Sequence, residues 1–398
     1  MEFSRRILDM EYSPIRKLAT YGEAAKNRGI KIYHLNIGQP DIETPKEFID
    51  GVNSYDEKVL KYTQSQGTNP LINSFIKYYK EWDINFEDDE MLITNGGSEA
   101  ISFALTAICD PGDEVIVPEP FYTNYAGFAE GASVKAVPFI TKAEDGFHLP
   151  SKEVIKAKIT PRTRAIMLSN PGNPTGVIYS KDEIRMIADI CKEYNLFFIS
   201  DEVYREFIYD GLAYTSALYM EDVQDRVVLI DSISKRYSAC GARIGLVASK
   251  NKSLIAQILK LCQARLCSPT IEQLGAANLI NTPNEYFVAV KNEYEVRRNL
   301  VFEKLSKMPG VICKKPSGAF YIIAKLTIKS GDDFAKWMLT DFNYNNKTVM
   351  VAPANGFYAT KGLGEDEIRI SYCLNTEDLS DAMDILEKAL KEYIKTEK

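Results

Sequence analysis

Asp231-Ser-Ile-Ser-Lys-Arg-Tyr-Ser-Ala-Cys-Gly-Ala-Arg-Ile-Gly245 is the stretch on which the reading of this chain turns. It follows Val227-Val-Leu-Ile230, an apolar, β-branched run that reads as a buried strand. At the strand's end stand Ser232, Ser234 and Lys235, with Arg243 eight residues further on. Hydroxyls and a guanidinium suit a phosphate, and a lysine amine suits an aldehyde. The mouth of a strand is where open α/β sheets place their ligands. A lone S-x-S-K is ordinarily a solvated surface loop. The longer pattern S-x-S-K-R-x-x-x-x-G-x-R-x-G, with matching segments upstream, sets this one apart.

Those segments repeat one arrangement, an apolar strand running into a polar turn. Leu196 to Ser200 leads to Asp201-Glu-Val-Tyr204, and Ala165 to Leu168 leads to Ser169-Asn-Pro-Gly-Asn-Pro-Thr-Gly176. Two prolines and two glycines make that second turn rigid around Asn173. Met91 to Thr94 runs into Asn95-Gly-Gly-Ser-Glu-Ala100 and a helix over Ile101 to Ile108, whose free N-terminal amides suit a phosphate. Glu114 to Val117 is a further strand, followed by Pro120-Phe-Tyr122, and Lys181 to Tyr194 reads as a helix. Strands alternating with helices give the βαβ rhythm of a mostly parallel sheet. Gly97, Asn173, Asp201 and Lys235 then lie at one edge of that sheet.

Outside this region, Ser13, Pro14 and Gly29 punctuate a helix over Ile15 to Arg28. Ile32 to Ile37 reads as a strand entering Gly38-Gln-Pro-Asp41, and Ala242 to Ser249 as another. Glu285 to Lys307 is a long polar helix suited to bridging two domains. Beyond it come strands at Gly318 to Tyr321, Val349 to Pro353 and Glu367 to Tyr372, then a polar tail from Lys391 to Lys398. Alternation along Glu367 to Tyr372 puts Arg369 and Ser371 opposite Ile368, Ile370 and Tyr372. The expected fold class is α/β. A large domain over 49–288 holds a mostly parallel sheet flanked by helices, and a smaller α+β domain is formed by 1–48 and 289–398.

With 398 residues and 45% hydrophobic content, two cores are affordable. A net charge of −7 argues against a nucleic-acid or anionic-membrane surface, so any anion site is built locally. Seven cysteines without a C-x-x-C, and only two histidines, give no support to a disulfide framework or a metal site. No run of 18 apolar residues and no leader-like segment is present, which points to a cytoplasmic protein.

From about Ser13 to Tyr372 the sequence resembles the class I, aspartate-aminotransferase-like aminotransferases, fold-type-I pyridoxal-phosphate enzymes. The S-x-S-K, N-P-x-N-P-T-G, N-I-G-x-P-D and R-I-S-Y strings carry the likeness. The resemblance implies pyridoxal 5′-phosphate as cofactor, no metal, and transfer of an amino group between an amino acid and a 2-oxo acid. It makes Lys235 the catalytic residue and covalent anchor, and pairs Asp201 with the pyridine nitrogen. Asn173 and Tyr204 then hold the cofactor's 3′-oxygen, Tyr122 stacks on its ring, and Gly97, Ser98, Ser232, Ser234 and Arg243 hold its phosphate. Gly38, Asn173 and Arg369 face the substrate, with Arg369 on the α-carboxylate. Tyr62, in Tyr62-Thr-Gln-Ser-Gln-Gly67, would reach the cofactor phosphate of a second subunit, which implies a homodimer with shared sites. Two positions depart from the pattern. Ala242 stands where tryptophan is common, and Ser98 where some aspartate-using relatives carry a lysine. Aspartate-type, aromatic and broad specificity therefore all remain open. A C–S β-lyase on the same scaffold is the alternative activity.

Overall fold

A computed structural model describes residues 2–10 and 12–396. Its strands in chain order are β1 (Lys31–His34), β2 (Met91–Thr94), β3 (Glu114–Glu119), β4 (Lys135–Ile140), β5 (Thr163–Ser169) and β6 (Phe197–Asp201). They continue with β7 (Val227–Ser232), β8 (Gly245–Ala248), β9 (Tyr321–Lys325), β10 (Lys347–Met350), β11 (Ala352–Pro353) and β12 (Glu367–Ser371).

Seven of them form one sheet in the order β2-β8-β7-β6-β5-β3-β4, in which β8 alone runs against the rest. Alternation along each strand sends side chains into two apolar layers. Ile116, Ile166, Leu168, Phe198, Leu229 and Leu246 face the layer that contains the helix Lys181–Glu193. Val117, Ala165, Met167, Ile199, Ile230 and Val247 face the layer of the helices Gly96–Ile108 and Lys252–Arg265. Both faces being covered explains why these strands read as continuous apolar runs.

A further core gathers β9 and β12, the chain entering from β1 and β10, and the helices Asn284–Ser306, Gly331–Thr340 and Thr376–Thr396. Here β1 pairs in parallel with β10, and β11-β12-β9 form an antiparallel sheet. The helix Asn284–Ser306 falls where the sequence places it, within a residue at each end. Of the polar tail, residues to Thr396 are helical and the last two lie outside the described residues.

Several local expectations shift. The first long helix begins at Ala19, not near Ile15. Asn36 Nδ2 takes the Ile15 carbonyl at 3.1 Å, while the Arg16 and Lys17 amides both turn back to the Ser13 carbonyl. The carbonyl that would start a helix is thereby spent elsewhere. The strand expected from Gly318 starts only at Tyr321, because Ala319 sits at φ 53° and breaks the extended chain. The strand expected from Ala242 starts at Gly245, since Cys240–Ala242 form a short 3-10 turn and Arg243 is left-handed at φ 53°. Val349 to Pro353 is divided between β10 and β11, which belong to different sheets.

Candidate active site

The carboxyl ends of β5, β6 and β7 deliver Ser169, Asp201 and Ser232 to one edge of the sheet. The reversed strand β8 adds to the same edge from its beginning. Its first residue, Gly245, is in register with Thr94 on one side and Ser232 on the other. Arg243, two residues before Gly245, is thus brought beside Gly96, where its guanidinium donates to the Asn95 carbonyl at 3.2 Å. The approach needs glycines. A Cβ on Gly245 would lie 2.8 Å from the Asp231 carbonyl oxygen, and Gly96 is at φ 76° with the Arg243 guanidinium against it.

These ends open on a cavity of about 730 Å³. Twelve of the thirteen residues singled out in the sequence line it: Lys235, Asp201, Asn173, Tyr204, Tyr122 and Arg369, with Gly38, Gly97, Ser98, Ser232, Ser234 and Arg243. Tyr62 stands apart, 79% exposed, beside a separate surface hollow with Tyr55 and Thr270.

Within the cavity the charged groups are underpaired. The half-buried Lys235 amine donates to the Gly38 carbonyl at 2.7 Å, lies 3.9 Å from the Cys240 sulfur and meets no carboxylate among the described residues. Asp201 is buried. Burial raises its carboxyl to about 6, against which the Tyr125 hydroxyl at 2.6 Å and the Val203 amide at 3.3 Å stabilise the ionised form. Ser232 and Ser234 share a hydrogen bond at 2.6 Å, and the Tyr204 hydroxyl meets that of Tyr321 at 2.8 Å. Burial holds the Tyr204 hydroxyl well above its ordinary range, so it remains a proton donor.

Arg369 is the most deeply buried cation of the cavity. Buried to 1% exposure, it stacks on Tyr321 and Phe357, with its guanidinium carbon 4.6 and 5.0 Å from the ring centres. It donates to the Asn36 carbonyl and to Asn173 Oδ1 at 3.3 Å, while its Nε has no partner. The expected alternation holds, with Ile368 and Ile370 in the apolar core and Arg369 on the cavity. Burial lowers the Arg369 pKa. A buried guanidinium without a carboxylate is costly unless a ligand supplies one.

The donor set fits a pyridoxal phosphate. There is an amine without a carboxylate partner, a buried carboxylate, neutral hydroxyl and amide donors, and an arginine beside a helix N-terminus. Among the described residues no cluster of His, Cys, Asp and Glu suited to a metal occurs.

Sequence reasoning missed several residues in or behind the cavity wall. Tyr125 holds Asp201 and follows Tyr122 by three residues, its amide turning back to the Tyr122 carbonyl at 2.9 Å. Tyr321 and Cys240 were quoted within motifs without a role, and Arg16 was not singled out at all.

The profile of the family described as Aminotransferase class I and II matches residues 30–386. An aspartate aminotransferase of Bacillus subtilis (strain 168) is 29% identical, covering 99% of this chain and 100% of its own. A probable aspartate/prephenate aminotransferase of Aquifex aeolicus is 32% identical over 97% of this chain and 98% of its own. Among solved structures, an alanine aminotransferase from Pyrococcus furiosus superposes with a TM-score of 0.90 at 30% identity, covering 98% of this chain and 100% of that one.

Proposed function

The chain belongs to the class I and II aminotransferases, and from that premise we propose how its residues divide the work of a pyridoxal-phosphate-dependent transfer of an amino group between an amino acid and a 2-oxo acid. The observation that carries the assignment is Lys235 facing the same cavity as buried Asp201 and buried Arg369, neither cation having a carboxylate partner among the described residues. When bound, pyridoxal 5′-phosphate supplies an aldehyde for the amino group and a ring that takes up the electron pair of the broken Cα–H bond.

Lys235 would hold the cofactor through its amine, and the same amine, when free, would take and return the proton at the substrate Cα. Asp201 would pair with the pyridine nitrogen and keep it protonated, because an opposite charge favours the cationic form. That pairing also relieves the cost of ionising Asp201 in a buried site. Tyr125 fixes the carboxylate's orientation from the side. Asn173 and Tyr204 would donate to the 3′-oxygen, and Tyr122 would cover the ring. Ser232, Ser234, Ser98, the Gly97 amide and Arg243 hold the phosphate. Arg369 binds the substrate α-carboxylate, with the chain at Gly38 beside it.

Three further readings accompany this one. The division into 49–288 and a smaller unit of 1–48 with 289–398 is supported by the separate apolar core around β9 and β12. A homodimer is supported by exposed apolar side chains at Val59, Leu60 and Tyr62 and along Phe3, Ile7 and Leu8. In that dimer Tyr62 extends to the partner's phosphate site. A cytoplasmic location agrees with seven cysteines that are all free thiols.

The test is a panel of single half-reactions. The purified holoenzyme is mixed with one amino acid at a time, without any 2-oxo acid, and the product is identified. Release of the matching 2-oxo acid with retention of nitrogen on the enzyme is expected, and aspartate and alanine head the panel because relatives bear those names. Pyruvate and ammonia from cystathionine, with no amino acid of the panel giving the 2-oxo acid of its own carbon skeleton, would refute transamination.

A further inference from the structure

The hydroxyls of Tyr204 and Tyr321 meet at 2.8 Å, and neither has another hydrogen-bond partner among the described residues. Both side chains are buried, and both line the cavity. They come from different parts of the chain. Tyr204 follows the end of β6 by three residues, and Tyr321 opens β9 in the smaller core. The reading above gives Tyr204 a ligand and leaves Tyr321 without a task.

Tyr321 is held on several sides. The pairing of β9 with β12 sets it opposite Ser371, two residues beyond Arg369. The Arg369 guanidinium carbon lies 4.6 Å from the centre of its ring. At the tip of the ring the chain at Gly38 passes so close that a Cβ there would collide with the hydroxyl. Tyr204 is gripped in turn by edge contacts with Phe207, Phe320 and Tyr321, the ring centres 6.5, 5.1 and 5.6 Å away. Charge then decides which hydroxyl donates. Burial raises both above the ordinary phenol range, and the Arg369 guanidinium opposes the shift at Tyr321. A phenol stacked on a cation is the stronger acid of a pair and hence the better donor. The other groups acting on the two, Asp201, Tyr122 and Cys373, hydrogen-bond neither hydroxyl.

We propose that Tyr321 is a positioning residue whose hydroxyl donates to the Tyr204 oxygen and so leaves the Tyr204 proton directed at the cofactor's 3′-oxygen. The inference rests on Tyr204 meeting that oxygen, as proposed above. A hydroxyl that accepts one hydrogen bond donates a stronger one, because bonds in a chain polarise each other. Tyr321 thereby links the carboxylate-binding arginine, through its ring, to the cofactor's polar edge, through its hydroxyl.

Titrating the visible absorbance of the holoenzyme with pH tests this without turnover. The change follows loss of the proton from the nitrogen that joins Lys235 to the cofactor, which leaves the negative 3′-oxygen without that proton beside it. A donor to the oxygen stabilises the deprotonated form, so removing the donor raises the midpoint. Tyr204→Phe is expected to raise the proton affinity by about 10-fold or more, and Tyr321→Phe, which keeps its ring on Arg369, by about 3- to 10-fold. The double variant is expected to match Tyr204→Phe alone, because Tyr321 acts through Tyr204. Asp201 and Lys235 are the same in every variant, so differences between midpoints isolate the two hydroxyls. A wild-type midpoint in Tyr321→Phe beside a raised one in Tyr204→Phe, or a double variant raised beyond Tyr204→Phe, overturns the assignment of Tyr321. A wild-type midpoint in Tyr204→Phe removes the 3′-oxygen reading itself, and the proposal with it.

Discussion

Replacing Asp201 by Asn removes a charge from the sheet edge and nearly preserves the side chain's shape. In the folded protein without cofactor, burial raises the carboxyl from 3.8 to about 6. That elevation corresponds to about 3 kcal/mol of destabilisation once the group is ionised. As pH rises the unfolded chain ionises first, so native stability falls between 3.8 and about 6 and then levels off. Asn carries no such dependence. The apoprotein of Asp201→Asn should therefore be more stable than wild type at pH 8, and its advantage should shrink by about 2 kcal/mol on going to pH 4.5. Urea unfolding of both apoproteins at the two pH values measures this. Pyridoxal 5′-phosphate should then raise the wild type's midpoint more than the variant's, because only the wild type offers its ring nitrogen an opposite charge. An advantage that does not change with pH would refute the raised carboxyl of buried Asp201, and equal stabilisation by cofactor would refute its pairing with the ring nitrogen.

Two further substitutions separate ligand contacts from fold support. Arg369→Met removes a buried cation with no carboxylate partner, so the apoprotein's thermal midpoint should hold or rise while affinity for α-carboxylates is lost; a large drop in the midpoint would make Arg369 a structural ion. Gly245→Ala should destabilise the protein by about 2 kcal/mol or more and weaken phosphate binding, because the added Cβ meets the backbone at Gly96 and Asp231 rather than a movable side chain. Denaturation together with a phosphate titration checks both halves, and wild-type values in the variant would show that this edge yields.

Lys235, Asp201 and Asn173 were legible in the sequence for a physical reason. Each ends or follows a strand buried on both faces, and such strands read as uninterrupted apolar runs. A polar residue at the end of such a run marks the ligand-bearing edge. The reversal of β8 was not legible, because an apolar four-residue run carries no direction, and the reversal is what brings Arg243 to that edge. Arg16 escaped for a different reason. Its segment has a helix's punctuation, and only a side chain twenty residues away, Asn36, diverts the Ile15 carbonyl and makes the turn. Tyr125 carries no motif, and its hydroxyl matters only because the fold sets it beside Asp201. Contacts set by neighbours distant in sequence leave no local pattern to read.

The central claim is that Lys235 is the covalent anchor of the cofactor, and chemical trapping tests it most directly. The holoenzyme is reduced with borohydride, digested and mapped for the pyridoxyl-modified lysine. The account predicts a single modified peptide carrying the label on Lys235, and no stable label at all in Lys235→Ala. A label on any other lysine, or undiminished labelling of the variant, would contradict it.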